Sequence, residues 1–161
     1  MSKTISFRIL GLPKTWKRPG RNSRSGRYYT LPADQTWRDS VALQASLHAP
    51  KTPHEGPVEL VLTFLLPIPK SWSKKTREEA RGRLVYTKRK NDLSNLIKAI
   101  EDALTGIFYE DDGQIAIGRQ SKWYPWHDED VGVVVGAIFH KQGDIRQPPP
   151  TASPQKRRKG P

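Results

Sequence analysis

The sequence predicts a mixed α/β single domain, with a small sheet of about four strands packed against two main helices. Three observations predict it. Four segments, 4–10, 58–66, 115–123 and 131–139, alternate or run apolar as strands do. Two others, 33–48 and the stretch from Leu93 to Leu104, carry apolar residues on one side of a helix. The order β-α-β-(basic segment)-α-β-β interleaves the two kinds, which excludes an all-helical or all-strand domain. At 161 residues the chain can bury one real core and is too short for two comfortable ones. The folded domain is expected over 1–140, with a separate tail over 141–161.

From Thr4 to Leu10, Ile5, Phe7 and Ile9 alternate with Ser6 and Arg8, and Gly11 and Pro13 end the strand. Residues 13–30 form a long, flexible, acid-free loop with Lys14, Lys17, Arg18, Arg21, Arg24 and Arg27 among Trp16, Tyr28 and Tyr29. Cations interleaved with aromatics suit phosphate contact plus base or sugar stacking, although the aromatics of a solvated loop also pack back onto a core. In the helix over 33–48, Ala33, Trp37, Val41, Leu43 and Leu47 supply the apolar side, and Pro50 and Pro53 follow its end.

Val58 to Leu66 is the strongest strand, closed by Pro67 and Pro69. The basic segment Lys70 to Arg83 includes Lys74 and Lys75, and Ser73 is placed to cap a short helix over 76–81 that is too polar to be buried. After the Leu93–Leu104 helix and its stop at Gly106 come the last two strands, with a YPWHDED turn between them. Val131 to Phe139 is apolar enough either to be buried on both faces or to lie at a subunit contact. The segment beyond Lys141 is Pro-rich and ends in the run Lys156-Arg157-Arg158-Lys159; it lacks the apolar surface to offset its ordering entropy and reads as a disordered basic tail.

The charge narrows the function. With 28 Lys+Arg against 16 Asp+Glu the formal net charge is +12, which favours a polyanionic partner, nucleic acid first. No apolar run approaches the roughly 18 residues of a membrane span, and no signal peptide opens the chain. There are no cysteines, hence no disulfides and no thiolate metal site, in keeping with a reducing cytoplasm. The four histidines have no ligand spacing, so a hard cation held by oxygen is favoured over zinc.

That cation has an obvious candidate seat between Lys88 and Gln114. Lys88, Arg89 and Lys90 precede Asp92; Leu93, Ile97, Ile100 and Leu104 share one helix face; Asn95, Lys98 and Asp102 lie on another. Ile107-Phe108-Tyr109 leads to the acidic triplet Glu110-Asp111-Asp112. Phosphodiester hydrolysis at a metal needs a few oxygen ligands close together, which Asp92, Asp111 and Asp112 could supply. A nearby lysine, here Lys98, stabilises charge on the phosphate, or aids proton transfer where its pKa is depressed. A plainer account also fits: Asp92 or Ser94 caps the helix, Lys98 is a solvated helix residue, and the triplet is a polar turn.

The motifs KNDLSNLIK, DALTG and YEDDGQ together resemble the core of the RusA-type Holliday-junction resolvases, where the pattern runs D-x-D-N-L-x-K, then D-A-L, then D-D-x-Q. The resemblance spans this central stretch and, more loosely, the first loop, the first helix and the SWSKK segment. It implies a small homodimeric endonuclease of mixed α/β fold from a bacterium or a phage-infected cell. Such an enzyme uses Mg²⁺, or Mn²⁺ in its place, to nick four-way DNA junctions in pairs during recombination and repair. By position, it implies catalytic roles for Asp92, Lys98 and Asp112, with Asp111 beside the last; Asn95 and Asp102 also match. The family's second aspartate falls on Ser94, so one negative charge of the expected metal site is missing. Glu101, one turn after Lys98, is the candidate replacement ligand. A site completed through water, or a junction-binding protein that has lost cleavage, are the other readings.

Overall fold

The structure, a computed structural model, describes residues 3–17, 20–29, 32–86, 91–144 and 146. The alternation of the first strand survives folding. In β1 (Lys3–Leu10), Phe7 and Ile9 are buried while Ser6 and Arg8 are exposed. The basic loop that follows is more ordered than its composition suggests. It contains a hairpin of β2 (Gly20–Arg21) and β3 (Tyr28–Tyr29). Asn22 Oδ1 accepts from the amides of Arg24 and Ser25 at 2.9 and 3.1 Å, and Gly26 closes the turn at φ +67°. An asparagine side chain replacing a backbone acceptor is a common way to build such a turn.

Helix α1 (Pro32–Ser46) ends two residues before its predicted limit and buries Trp37, Val41 and Ala45. Leu43 and Leu47, predicted on its apolar side, are exposed. The physical reason is angular: at about 100° per residue Leu43 points away from the Trp37–Val41–Ala45 stripe, and Leu47 lies past the helix end. Ala33 is exposed as well. Gln44, by contrast, is half-buried and ties α1 to the end of β1, accepting from the Leu10 amide at 2.9 Å and donating to the Leu10 carbonyl at 3.1 Å.

Strand β4 (Val58–Leu65) leads through a short helix α2 (Lys74–Ala80) to α3 (Leu93–Leu104), and β5 (Ile115–Trp123) and β6 (Gly132–Phe139) complete the chain. The YPWHDED turn contains one turn of 3₁₀ helix over Asp128–Asp130. Helix α2 starts two residues before the predicted position because Ser73 caps it directly, accepting from the Thr76 amide at 3.2 Å. The sheet order is β1-β6-β4-β5, antiparallel except for the parallel β4–β5 pair. Val58, Leu60, Leu62 and Phe64 of β4 and Val133, Val135, Ala137 and Phe139 of β6 face one core, shared with the buried residues of α1 and α3. On the other face of β6, Val134, Gly136 and Ile138 are only half-buried, as are Val61, Thr63 and Leu65 beside them on β4. Burial on both faces is therefore not what the apolarity of β6 serves.

Candidate active site

Local sequence sets the two ends of α3. At its start Asp92 is the N-cap, its Oδ1 accepting from the Ser94 amide at 3.2 Å. Here the plainer account is right in part: Asp92 caps, and Ser94 receives the cap. Just before it, Asn91 sits at φ +56°, the one non-glycine residue with positive φ among those described. That region costs an ordinary L-residue roughly 1–2 kcal/mol, and asparagine tolerates it better than most. Lys122 Nζ, from the core face of β5, donates to the Asn91 carbonyl at 2.9 Å. A hydrogen bond from a charged group is worth about 1.5–3 kcal/mol, enough to offset such a backbone.

At the other end Gly106 (φ +79°) turns the chain back, its amide donating to the Tyr109 carbonyl at 2.7 Å. Phe108 and Tyr109 are fully buried, with Phe108 stacked against Phe7 at 5.2 Å. The Tyr109 hydroxyl donates to the Glu101 carbonyl at 3.0 Å, and burial, then the negative charge of Glu101, pushes the phenol up. This apolar step fastens the acidic triplet beside the second half of α3. One turn of 3₁₀ helix (Asp112–Gln114) follows, with Asp111 and Gln114 in a reciprocal capping box. Asp111 Oδ1 accepts from the Gly113 amide at 2.8 Å. Gln114 Oε1 accepts from the amides of Glu110 and Asp111 at 2.8 and 2.9 Å. Its Nε2 donates to the carbonyls of His54 and Gly56 at 2.7 and 3.0 Å.

Asp112 is thereby brought to Lys98. Lys98 Nζ donates to Asp112 Oδ2 at 2.7 Å and lies 2.9 Å from Asp102 Oδ1. The hydrogen bond to Asp112, then that to Asp102, holds the Lys98 ammonium well above the ordinary lysine range, and the same bond holds the Asp112 carboxyl below the ordinary aspartate range. The two shifts agree in sense: in this pair Lys98 is held as the ammonium and Asp112 as the carboxylate. Burial pushes the half-buried Glu101 carboxyl up; Lys98 opposes this and the charges of Asp112 and Asp102 add to it.

Lys98, Asp112, Asp102 and Glu101 thus form one electrostatic group. Asp92 stays at the helix start, six residues from Lys98 and so roughly 9 Å away along the axis. Among the described residues, no three or more His, Cys, Asp or Glu side chains are assembled to hold a metal ion. The donor chemistry nonetheless suits a hard divalent cation. The carboxylate oxygens of Asp112, Asp102 and Glu101 around the single Lys98 ammonium are the oxygen donors such a cation takes.

The predicted nucleic-acid contacts divide. Arg21, Arg24 and Arg27 on the hairpin and Lys74 and Lys75 at the start of α2 are exposed. Lys14 donates to the Ala33 carbonyl at 3.1 Å, and Lys17 lies 3.8 Å from Asp34, so both also hold the loop to α1. The Trp16 amide donates to the Asn95 carbonyl at 2.8 Å, fixing the same loop to α3. Arg18, Lys88, Arg89 and Lys90 lie outside the described residues, as does the tail from 147 onward. No helix among the described residues is long and apolar enough to cross a membrane.

Sequence reasoning put Asp102 on the Lys98 face without a role, although the four-residue spacing is the signal for a helical ion pair. It missed Lys122 and Asn91, and it matched Gln114 to the family motif without a role. Lys122 and Gln114 act through backbone carbonyls that strand and turn patterns do not reveal, and Asn91 acts through its own backbone conformation.

Comparison with known proteins identifies the family. The chain is 36% identical over 124 residues, 74% of its length, to the uncharacterized protein YqaN of Bacillus subtilis (strain 168), 87% of which is covered. The family model of the endodeoxyribonuclease RusA matches residues 11–136, from the turn after β1 into β6 and across all of α3 and the acidic turn. The chain belongs to the RusA endodeoxyribonuclease family, the RusA-type Holliday-junction resolvases.

Proposed function

We propose that the protein is a Mg²⁺-dependent endonuclease that resolves four-way DNA junctions by paired nicks, as a homodimer, in the cytoplasm of a bacterial or phage-infected cell. The observation that carries the proposal is the ion pair between Lys98 and Asp112, two residues at positions of the family motif drawn together from separate elements. Asp92 and Asp112 are the principal metal ligands in this reading, with Asp111 and Glu101 as the further oxygen donors. Mn²⁺ would be accepted by the same oxygens. The bound cation supplies a Lewis acid and an activated water.

Lys98 stays protonated. Its work would be to neutralise charge on the phosphate. Exposed Arg21, Arg24, Arg27, Lys74 and Lys75 take up phosphates, joined by Lys14 and Lys17 and by Arg18, Lys88, Arg89 and Lys90. The half-buried apolar face of β4 and β6 is the candidate subunit contact, and a two-fold dimer matches a substrate with two equivalent strands to cut.

A second reading has its own support. Ser94 brings no charge to the helix start, which favours a protein that binds junctions without cutting them. Incubation of a synthetic four-way junction with and without Mg²⁺ separates the two. Symmetric nicks that require the metal and vanish in Asp112→Asn, with binding retained, support the enzyme. Binding without nicking at any Mg²⁺ or Mn²⁺ concentration gives the second reading, and failure to bind junctions sinks both.

A further inference from the structure

A lysine on the core face of a strand needs a reason to be there. In the parallel β4–β5 register Lys122 pairs with Phe64, and its neighbours on that face of β4, Leu60 and Leu62, are fully buried. Lys122 is half-buried, and its ammonium donates to the Asn91 carbonyl at 2.9 Å. Its own carbonyl accepts from the Val85 amide at 2.9 Å, so the same residue also holds the chain that approaches α3. Asn91 is the residue with φ +56°, and the next residue is Asp92, whose carboxylate caps the helix. A side chain from β5 therefore bonds the carbonyl of the positive-φ residue that immediately precedes Asp92.

We propose that Lys122 is a positioning residue for Asp92: its ammonium, bonded to the Asn91 carbonyl, holds the left-handed turn that aims the Asp92 carboxylate. This rests on the reading of Asp92 as a metal ligand. Groups that orient a ligand typically cost 10–100-fold in metal affinity or activity when removed. Lys122→Met therefore raises the Mg²⁺ concentration for half-maximal junction cleavage on the order of 10-fold or more, with most of the maximal rate recovered at high Mg²⁺. Lys122→Arg, which can donate to the same carbonyl, rescues in part. Adding Asn91→Gly to Lys122→Met does not rescue, because glycine adopts the left-handed turn readily but no longer holds it against alternatives.

The decisive structural readout does not need activity. Amide exchange of Ser94, whose N–H is bonded to Asp92, speeds up in Lys122→Met while the amides of the α3 interior keep their protection. If Ser94 exchange is unchanged, or if exchange accelerates through all of α3 with a parallel fall in melting temperature, Lys122 is not a positioning residue. A Mg²⁺ requirement that is unmoved in a folded Lys122→Met also overturns the proposal. If instead the wild type cuts no junction, or Asp92→Asn cuts normally, the assignment of Asp92 as a ligand fails, and the Ser94 amide still decides what Lys122 does.

Discussion

Lys98 answers two carboxylates at once, and its bond to Asp112 is the leading cause of that residue's lowered carboxyl. Asp112 has a carboxyl lowered by its bond to Lys98. The stabilisation from this pair is complete above the unfolded aspartate value of about 3.9 and is lost as pH falls through the lower folded value. On the lysine side, the raised ammonium keeps its contribution below about 10.4 and loses it only as pH rises through the still higher folded value. Carbon-13 NMR of the Asp112 carboxyl should accordingly give a midpoint below 3.9 (about the ordinary aspartate value), and Lys98→Met should move that midpoint upward. A midpoint indifferent to Lys98 would remove the ion pair from solution. The uncharged Ser94 gives a second test. If the half-buried Glu101 stands in for the missing aspartate, Glu101→Gln abolishes junction cleavage as completely as Asp112→Asn does, and Ser94→Asp brings little gain because it crowds like charges. If the site is merely under-charged, Ser94→Asp lowers the Mg²⁺ requirement and Glu101→Gln is mild. Mg²⁺ titrations of cleavage for the two variants discriminate the cases.

At the scale of elements, the site is carried by α3 and by the turn that returns from it. Gln114 joins that turn to residues 54–56 and holds the Glu110 and Asp111 amides as well. Gln114→Leu should cost about 1–3 kcal/mol of stability, the usual penalty for leaving such groups without partners. Urea unfolding measures it; an unchanged midpoint would mean that water replaces the side chain without loss. The helices and strands themselves were legible because Phe7 and Ile9, or Val58, Leu60, Leu62 and Phe64, are spaced as the core requires. The α1 stripe was harder to read. Leu43 and Leu47 look as apolar as Val41, and only the angle at which α1 lies against its neighbours selects Trp37, Val41 and Ala45. The hairpin within the basic loop was hidden because it depends on the Asn22 turn and two-residue strands rather than on any apolar repeat.

For the whole molecule, charge and connectivity matter more than any one contact. Deleting residues 142–161 removes Arg146, Lys156, Arg157, Arg158 and Lys159 against Asp144 alone. The fold should keep its melting temperature while junction affinity falls, most at low salt, and the dependence of affinity on salt should become shallower. An unchanged affinity and salt slope would show that the tail makes no DNA contact. Lys98 and Asp112 were legible through the family motif in one central stretch, and the structure pairs them while leaving Asp92 at the helix start. The internal grouping of the site was not legible: the pairing of Lys98 with Asp112 rather than with Asp92 depends on where the buried Phe108 and Tyr109 set the returning chain. The parallel pairing of β4 with β5 carries a kinetic consequence. Parallel neighbours need a long crossover, and here α2, α3 and the acidic turn all lie within it. The carboxylates and Lys98 therefore lie in a loop of some fifty residues that closes only when β5 pairs with β4, and the β4–β6 and β1–β6 pairings span still longer separations. On refolding, the ability to cut DNA should return no earlier than the pairing of β5 with β4, and the β1–β6 pairing, which joins the two ends of the domain, closes the longest separation in the sheet.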